Sequence, residues 1–400
     1  MEEISVLMQG NRRTFLMASG LTALAASRVA GANDMIRVGA IGCGERMRTL
    51  LKCADRAGGY QLVAGCDVYG PRRDQIRERS NNEASTHLDY REVLDNKEID
   101  AVIIAAPDHW HVRMGTDAIA ANKDVYLEKP VTHTLEEGAA LTRAVRGSQR
   151  ILQCGMQQRS WTHFQSAVEL IQAGNIGRVT QVRTYWYQNY QRHSAPEVAD
   201  VAQLDWKRWL GSAPEQPFDD EKFRNWRWFW DFGGGAMTDL FTHWIDVVHW
   251  AMKQDAPALA QTIGDKYVFE KWNCPDTIQC AVRYAGFEVG YEGTMISSID
   301  DGGLEFRGTK GTLKINRSGF GIYREGVKEE NAVLGEHSTQ DGTISHMENF
   351  FDCVRSRKEP NAPLETGVAA ARAGHIANLA LRRGERVSWP VSNGKTSARA

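Results

Sequence analysis

Apolar residues fall along this chain in short solid runs first and in alternation later. Residues 35–41, 61–66, 100–106, 124–127 and 151–154 are brief stretches of almost unbroken apolar character. Such runs predict strands buried on both faces of a parallel sheet. Helical spacing lies between them, at 45–57, 112–121 and 135–145. Strands alternating with helices predict a doubly wound sheet. Beyond that the pattern changes. A helix is predicted at 160–173, stopped by Gly174. A long strand at 178–190 alternates through Val179, Gln181, Val182, Tyr185 and Tyr187, and further strands are predicted at 259–269, 277–284, 288–295, 303–307 and 312–316. Strands clustered without helices between them predict an open, largely antiparallel sheet. Two last helices, at 346–355 and 366–382, are expected to pack back across both halves.

The first strand runs directly into Gly42-Cys43-Gly44, followed by Glu45 and Arg46 at the start of a helix. Glycines in that strand–turn–helix context let backbone N–H groups approach a pyrophosphate, and the helix N-terminus adds partial positive charge. Met47 stands where a third glycine would complete G-x-G-x-x-G. This relaxes helix–strand packing and leaves the phosphate-contacting part intact. The second strand ends at Asp67, where a carboxylate suits the ribose hydroxyls of NAD and repels the extra phosphate of NADP. Arg72 and Arg73 follow and could soften that preference. Ala106 and Pro107 after the third strand, His111 just beyond, and Glu128 and Lys129 after the fourth lie where such sheets bind ligands, at the carboxyl ends of their strands. The expected fold is therefore an N-terminal Rossmann doubly wound parallel sheet over 35–155. An α+β domain with an open antiparallel sheet follows over 156–345, and 346–400 holds the returning helices and tail.

Composition narrows the classes. The 400 residues carry 48 Lys+Arg against 50 Asp+Glu, a net charge of −2, with no basic footprint for nucleic acid. The seven cysteines are odd in number and include no C-x-x-C, which argues against a disulfide framework or a cysteine zinc site. Residues 1–34 form a separate segment. Arg12-Arg13 precedes an apolar stretch over 15–26, then Arg28 and the small-residue run Ala30-Gly31-Ala32. This is the layout of a twin-arginine export signal, with Met8 an alternative start, and it predicts a periplasmic or secreted protein exported folded with its cofactor inside.

Glu128-Lys129-Pro130 after a strand, Gly233-Gly234-Gly235, and Asp239 with His243 four residues on are specific in combination. With the Gly42 loop they resemble the Gfo/Idh/MocA oxidoreductase family, over about residues 35–390. The resemblance implies a nicotinamide enzyme acting on a sugar or cyclitol hydroxyl, with Lys129, Asp239 and His243 as its catalytic set. It also implies that Gln157, Gln158 and Arg159 approach the substrate. Phe241 stands where the family commonly has glycine, which narrows the space beside the site.

The residues make a separate case for this chemistry. Oxidising a carbinol needs a base for the hydroxyl proton and a group to steady the developing oxyanion. Asp239 and His243 at i, i+4 would share one helix face, so the carboxylate could orient the imidazole while Lys129 supplies positive charge. Asp246 and His249 continue that face, and His109 and His111 sit near the cofactor, but no metal-ligand spacing exists and no metal is expected. Eight of the 12 tryptophans fall between 185 and 250. Flat rings stack on pyranose C–H faces, so Trp228 and Trp230, before the triple glycine, and Tyr187 are candidate pocket walls.

Three functions fit. The first is a sugar, glycoside or cyclitol oxidoreductase that holds NAD tightly, since an exported enzyme has no free pool. The second is a glycosidase that oxidises transiently, eliminates and re-reduces; the Glu-Lys-Pro motif favours the first over it. The third is a non-catalytic binder, against which Lys129, Asp239 and His243 all argue. A homo-oligomer, dimer or tetramer, is expected across the open sheet.

Overall fold

The computed structural model describes residues 35–192, 200–326, 332–338 and 340–390. Residues 1–34, expected to be an export signal, and the tail from 391 lie outside the described residues.

Six strands form the first sheet: β1 (Ile36–Ile41), β2 (Tyr60–Cys66), β3 (Ser85–His87), β4 (Ala101–Ile104), β5 (Asp124–Leu127) and β6 (Leu152–Cys154). Their order is β3-β2-β1-β4-β5-β6 and every pairing is parallel. The helices between them are α1 (Glu45–Ala57), α2 (Gly70–Arg79), α3 (Tyr90–Asp95), α4 (Asp108–Ala120) and α5 (Glu137–Arg146). The order reverses between β1 and β4, so the crevice for a ligand opens where Gly42 follows β1 and Ala106 follows β4. The sequence reading missed β3, α2 and α3. Ser85-Thr86-His87 is short and polar, and α2 is mostly charged with Ile76 its one large apolar residue, so neither has an apolar period to read.

The second part opens with α6 (Thr162–Gln172) and β7 (Val179–Tyr187). Four short helices follow: α7 (Trp206–Leu210), α8 (Asp220–Arg224), α9 (Gly235–Asp239) and the longer α10 (Phe241–Met252). Then come β8 (Leu259–Asp265), β9 (Thr277–Tyr284), β10 (Phe287–Thr294), β11 (Gly302–Gly308), β12 (Gly311–Asn316), β13 (Gly319–Arg324) and β14 (Leu334–His337). The chain ends in α11 (Gly342–Ser356), α12 (Leu364–Arg383) and β15 (Val387–Ser388). The sheet order is β14-β13-β12-β11-β7-β10-β9-β8-β15, antiparallel throughout except β7 with β10. Alternation predicts which face is covered: on β9 every second residue is buried and the others face outward.

One apolar core runs from the first sheet into the second, taking in Val102, Leu127, Phe164, Trp244 and Phe306. A second core lies under the opposite face of the Rossmann sheet. There Ile344, Met347, Phe350, Phe351 and Val354 of α11 pack with Val38, Met47 and Leu50. Met47, in place of the third glycine, is therefore a core residue that fills the space between α1 and the sheet. Phe351 is 1% exposed and stacks on Tyr60 at 5.3 Å. Replacing Phe351 with Ala leaves a cavity there and should destabilise the protein by about 3–5 kcal/mol. The check is the urea unfolding midpoint, at unchanged slope.

Candidate active site

The dinucleotide cradle is built by backbone. Gly42 has φ 79°, and a Cβ there would lie 2.7 Å from the Ala106 nitrogen, so only glycine permits the loops after β1 and β4 to touch. Asp67, 5% exposed, braces the loop: one carboxylate oxygen accepts from the Cys43 N–H at 2.8 Å and the other from the Tyr69 N–H at 2.9 Å. This corrects one expectation. Cys43 does not turn its N–H to a phosphate; Asp67 takes it, and the thiol packs inward, 3.3 Å from the Cys66 carbonyl. Gly42, Gly44, Glu45, Arg46 and Asp67 do line the cleft. Arg72 stands 3.6 Å from Asp67, and the Arg73 guanidinium donates to the Asp67 carbonyl at 2.7 Å.

The motif after β5 is tied to that cradle. Glu128 accepts from Arg46 Nε at 2.7 Å, from Gln157 Nε2 at 3.1 Å and from its neighbour's backbone N–H at 3.2 Å. The Lys129–Pro130 bond is cis. His111 spans the two loops, Nδ1 at 2.6 Å from the Pro130 carbonyl and Nε2 at 2.8 Å from that of Ala106. Burial lowers its pKa, so the ring favours its neutral form and donates to one of them. It is a strut between the loops on which Pro107 and Lys129 sit.

The catalytic candidates meet at the far end of the same cleft, whose volume is about 1450 Å³. Lys129 Nζ donates to Asp239 Oδ1 at 2.5 Å and to the Asp239 carbonyl at 2.9 Å. Arg227 Nε reaches the same Oδ1 at 3.2 Å. Burial alone would raise the Asp239 carboxyl, but Lys129 and Arg227 together hold it below the usual carboxylate range. Asp239 does not orient His243, contrary to expectation. The helix breaks at Leu240, between α9 and α10, and two full cations outcompete a neutral imidazole for one carboxylate. His243 instead lies on Trp186, ring centroids 5.7 Å apart. Its Nδ1 is buried without a partner, which leaves Nε2 as the nitrogen open to the cleft. Burial, then repulsion from Lys129, push its pKa well down. Asp108, at the start of α4, is 2% exposed with one oxygen unpartnered. Burial and the nearby Asp239 push its carboxyl well above the usual range, which favours the protonated form.

Four expected substrate residues lie elsewhere. Arg159 is locked in a bidentate pair with Asp246, its Nε at 2.8 Å. Tyr187 points to the other face of β7, since neighbours on a strand alternate, and Trp186 is the one facing the cleft. Trp228 is fully buried against Trp272, centroids 4.7 Å apart, and Trp230 is capped by Arg382 outside the cleft. Phe241 narrows nothing: it packs into the core on Tyr291 at 5.0 Å. His249 meets the Tyr284 hydroxyl at 2.7 Å and His109 the Trp209 carbonyl at 3.2 Å, so each is engaged singly. Trp226 and Arg227, in the stretch before the triple glycine that was expected to form a pocket wall, do line the cleft, as does Trp186 of the same tryptophan-rich region; Tyr190 and Arg317, to which the sequence reading gave no role, line it too. Period two along β7 could have found Trp186; nothing local marks Arg317.

Residues 36–156 match the oxidoreductase-family NAD-binding Rossmann fold, and residues 164–314 match the GFO/IDH/MocA C-terminal domain. The chain belongs to the GFO/IDH/MocA family. An uncharacterized oxidoreductase, YrbE, of Bacillus subtilis is 30% identical over 88% of this chain and 96% of its own. Inositol 2-dehydrogenase of Salmonella typhimurium is 24% identical over 52% of this chain and 51% of its own, so the chain spans about half the length of that relative. Among solved structures, a levoglucosan dehydrogenase in complex with NADH and levoglucosan superposes with a TM-score of 0.71 at 18% identity, over 89% of this chain and 99% of that one. This GFO/IDH/MocA chain thus carries the NAD-binding Rossmann domain of an oxidoreductase family, and its Gly42 cradle fits the dinucleotide.

Two outcomes follow for the family's acid–base set. Lys129→Ala leaves Arg227 to neutralise Asp239, so the protein should stay folded and bind NADH while hydride transfer falls roughly 10²–10⁴-fold. Near-normal turnover would remove Lys129 from the chemistry. A base must be neutral to work, and the His243 pKa lies well below 6.5, so its neutral form persists as pH falls through 6.5. The plot of log kcat/KM for oxidation should stay flat there. A break centred near 6.5 would exclude His243 as the base in this environment.

Proposed function

We propose that the chain exchanges a hydride between a tightly held NAD and a hydroxyl of a sugar, glycoside or cyclitol. The observation that carries this is the placement of a neutral imidazole, open at Nε2, beside a lysine–aspartate pair at the end of a dinucleotide cradle. NAD, when bound, supplies the hydride acceptor. Every other part is played by side chains of this chain. An ammonium has three N–H donors; Asp239 engages Lys129 twice, which leaves the third for the substrate oxygen. There it steadies the charge that develops as the hydroxyl proton leaves. His243 Nε2 takes that proton. Lys129 and Arg227 lower the basicity of the Asp239 carboxylate, which makes it a poor acceptor for that proton. Trp186 and Trp226 give the cleft apolar walls at this end.

The proposal extends to where the enzyme works. The Arg12-Arg13 leader directs twin-arginine export to the periplasm or beyond. The seven cysteines are all free and buried, which suits a chain that folds before it leaves a reducing compartment. A second copy covers the outer face of the nine-stranded sheet, where Ile263 is 64% and Tyr267 70% exposed.

The test uses protein purified without added nicotinamide, mixed with nitrophenyl glycosides and free sugars, following nicotinamide and nitrophenol absorbance together. Reduced nicotinamide without nitrophenol is expected. Nitrophenol release with no lasting nicotinamide change would replace this reading with a glycosidase that closes its own redox cycle.

A further inference from the structure

The cations of the cleft are matched by carboxylates almost throughout. Lys129 and Arg227 share Asp239, Arg46 pairs with Glu128, and Arg72 faces Asp67. Arg48, on the cradle side, has Gln75 instead, at 3.0 Å. Arg317 differs from all of these. Among the described residues no carboxylate lies within ion-pair distance of it and no side chain hydrogen-bonds to it; Asp301 and Asp341 attract it only from further off. It sits in the turn between β12 and β13 and lines the same cleft as the glycine loop. Its guanidinium stands 4.8 Å from the Trp186 ring centroid, and the same indole carries His243. Arg46 lines the same cleft.

An arginine held in a cleft without a counter-ion is an unfinished interaction. Its planar fork matches a carboxylate in two parallel hydrogen bonds. Contact with the indole face fixes the plane of that fork before any ligand arrives. An anion at this place has two sources, the diphosphate of the dinucleotide or an acidic group on the substrate. The diphosphate already has the glycine loop and the α1 N-terminus. Arg317 is joined through one aromatic ring to the group that takes the substrate proton.

We propose that the substrate is a sugar acid, of the uronate or aldonate type, whose carboxylate is gripped by Arg317 while one of its hydroxyls meets Lys129 and His243. This rests on the oxidoreductase reading and names the substrate class within it. Arg317 sets specificity and takes no part in the proton or hydride steps.

The test compares matched pairs on the NAD-loaded protein: glucuronate with glucose, galacturonate with galactose, gluconate with glucitol. The wild type should prefer the acid in kcat/KM by roughly ten- to a hundredfold, as for one charge-assisted bidentate contact. In Arg317→Met that ratio should collapse towards unity, and Arg317→Lys should restore part of it. Arg317 lies on an exposed turn, and an unchanged melting temperature confirms that each variant is folded. Neutral sugars turned over as well as their acids would overturn the sugar-acid assignment and leave the oxidoreductase reading standing. Weakened NADH binding in Arg317→Met with an unchanged acid preference would overturn it in favour of the diphosphate. If no compound in either series reduces the cofactor, the oxidoreductase reading fails. Calorimetric binding of glucuronate to the NADH-loaded protein then decides separately: binding lost in Arg317→Met upholds the anion site, and no binding overturns it.

Discussion

Lys129 and Asp239 come from opposite parts of the chain, 110 positions apart, and meet at 2.5 Å between the two sheets. Taking both charges out of water costs several kcal/mol each, so the pair survives only because each charge answers the other and Arg227 adds a second cation. The three side chains fix where the loop after β5 lies against the break between α9 and α10. That placement puts a cradle built by one sheet over an acid–base group carried by the other.

The same pair decides which groups carry charge around it. Lys129 and Arg227 pull Asp239 into its ionised form. Asp108, close by, is driven the other way by its burial first and by the ionised Asp239 second, against the weaker pull of Lys129 and Arg227. His243 meets only positive charge and apolar surface, so it stays neutral. One carboxylate ionised, one favouring its protonated form and one neutral imidazole is the outcome of shared burial, which only Asp239 escapes through its two cations. Pushing the pKa values of neighbouring groups apart is how a site separates the roles of acid and base.

Much of this was legible in the sequence. Solid apolar runs gave the parallel strands, and glycine in a strand–turn–helix context gave the cradle, because both patterns follow from local backbone sterics and burial. Lys129, Asp239 and His243 were legible as members of the site. Their connections were not: Asp239 and His243 read as one helix face, while the chain breaks at Leu240 and turns the carboxylate towards cations distant in sequence. The tryptophans show the same limit. A ring every second residue near 226–230 looks like a wall, yet a tight 3-10 turn over Trp226–Trp228 sends Trp226 to the cleft and Trp228 into the core. Arg317 carries no mark at all in the chain, because what distinguishes it, among the described residues, is the lack of a paired carboxylate.

The second core holds a consequence for how the chain is made. Val38, Met47 and Leu50 emerge early in synthesis, but the residues that cover them, from Ile344 to Val354, emerge some three hundred residues later. Until then the nascent Rossmann half presents a bare apolar face, the kind of surface that chaperones hold and that aggregates when they do not. The first part of the chain to be translated is thus among the last to be sealed, and the nucleotide fold matures only once α11 has left the ribosome.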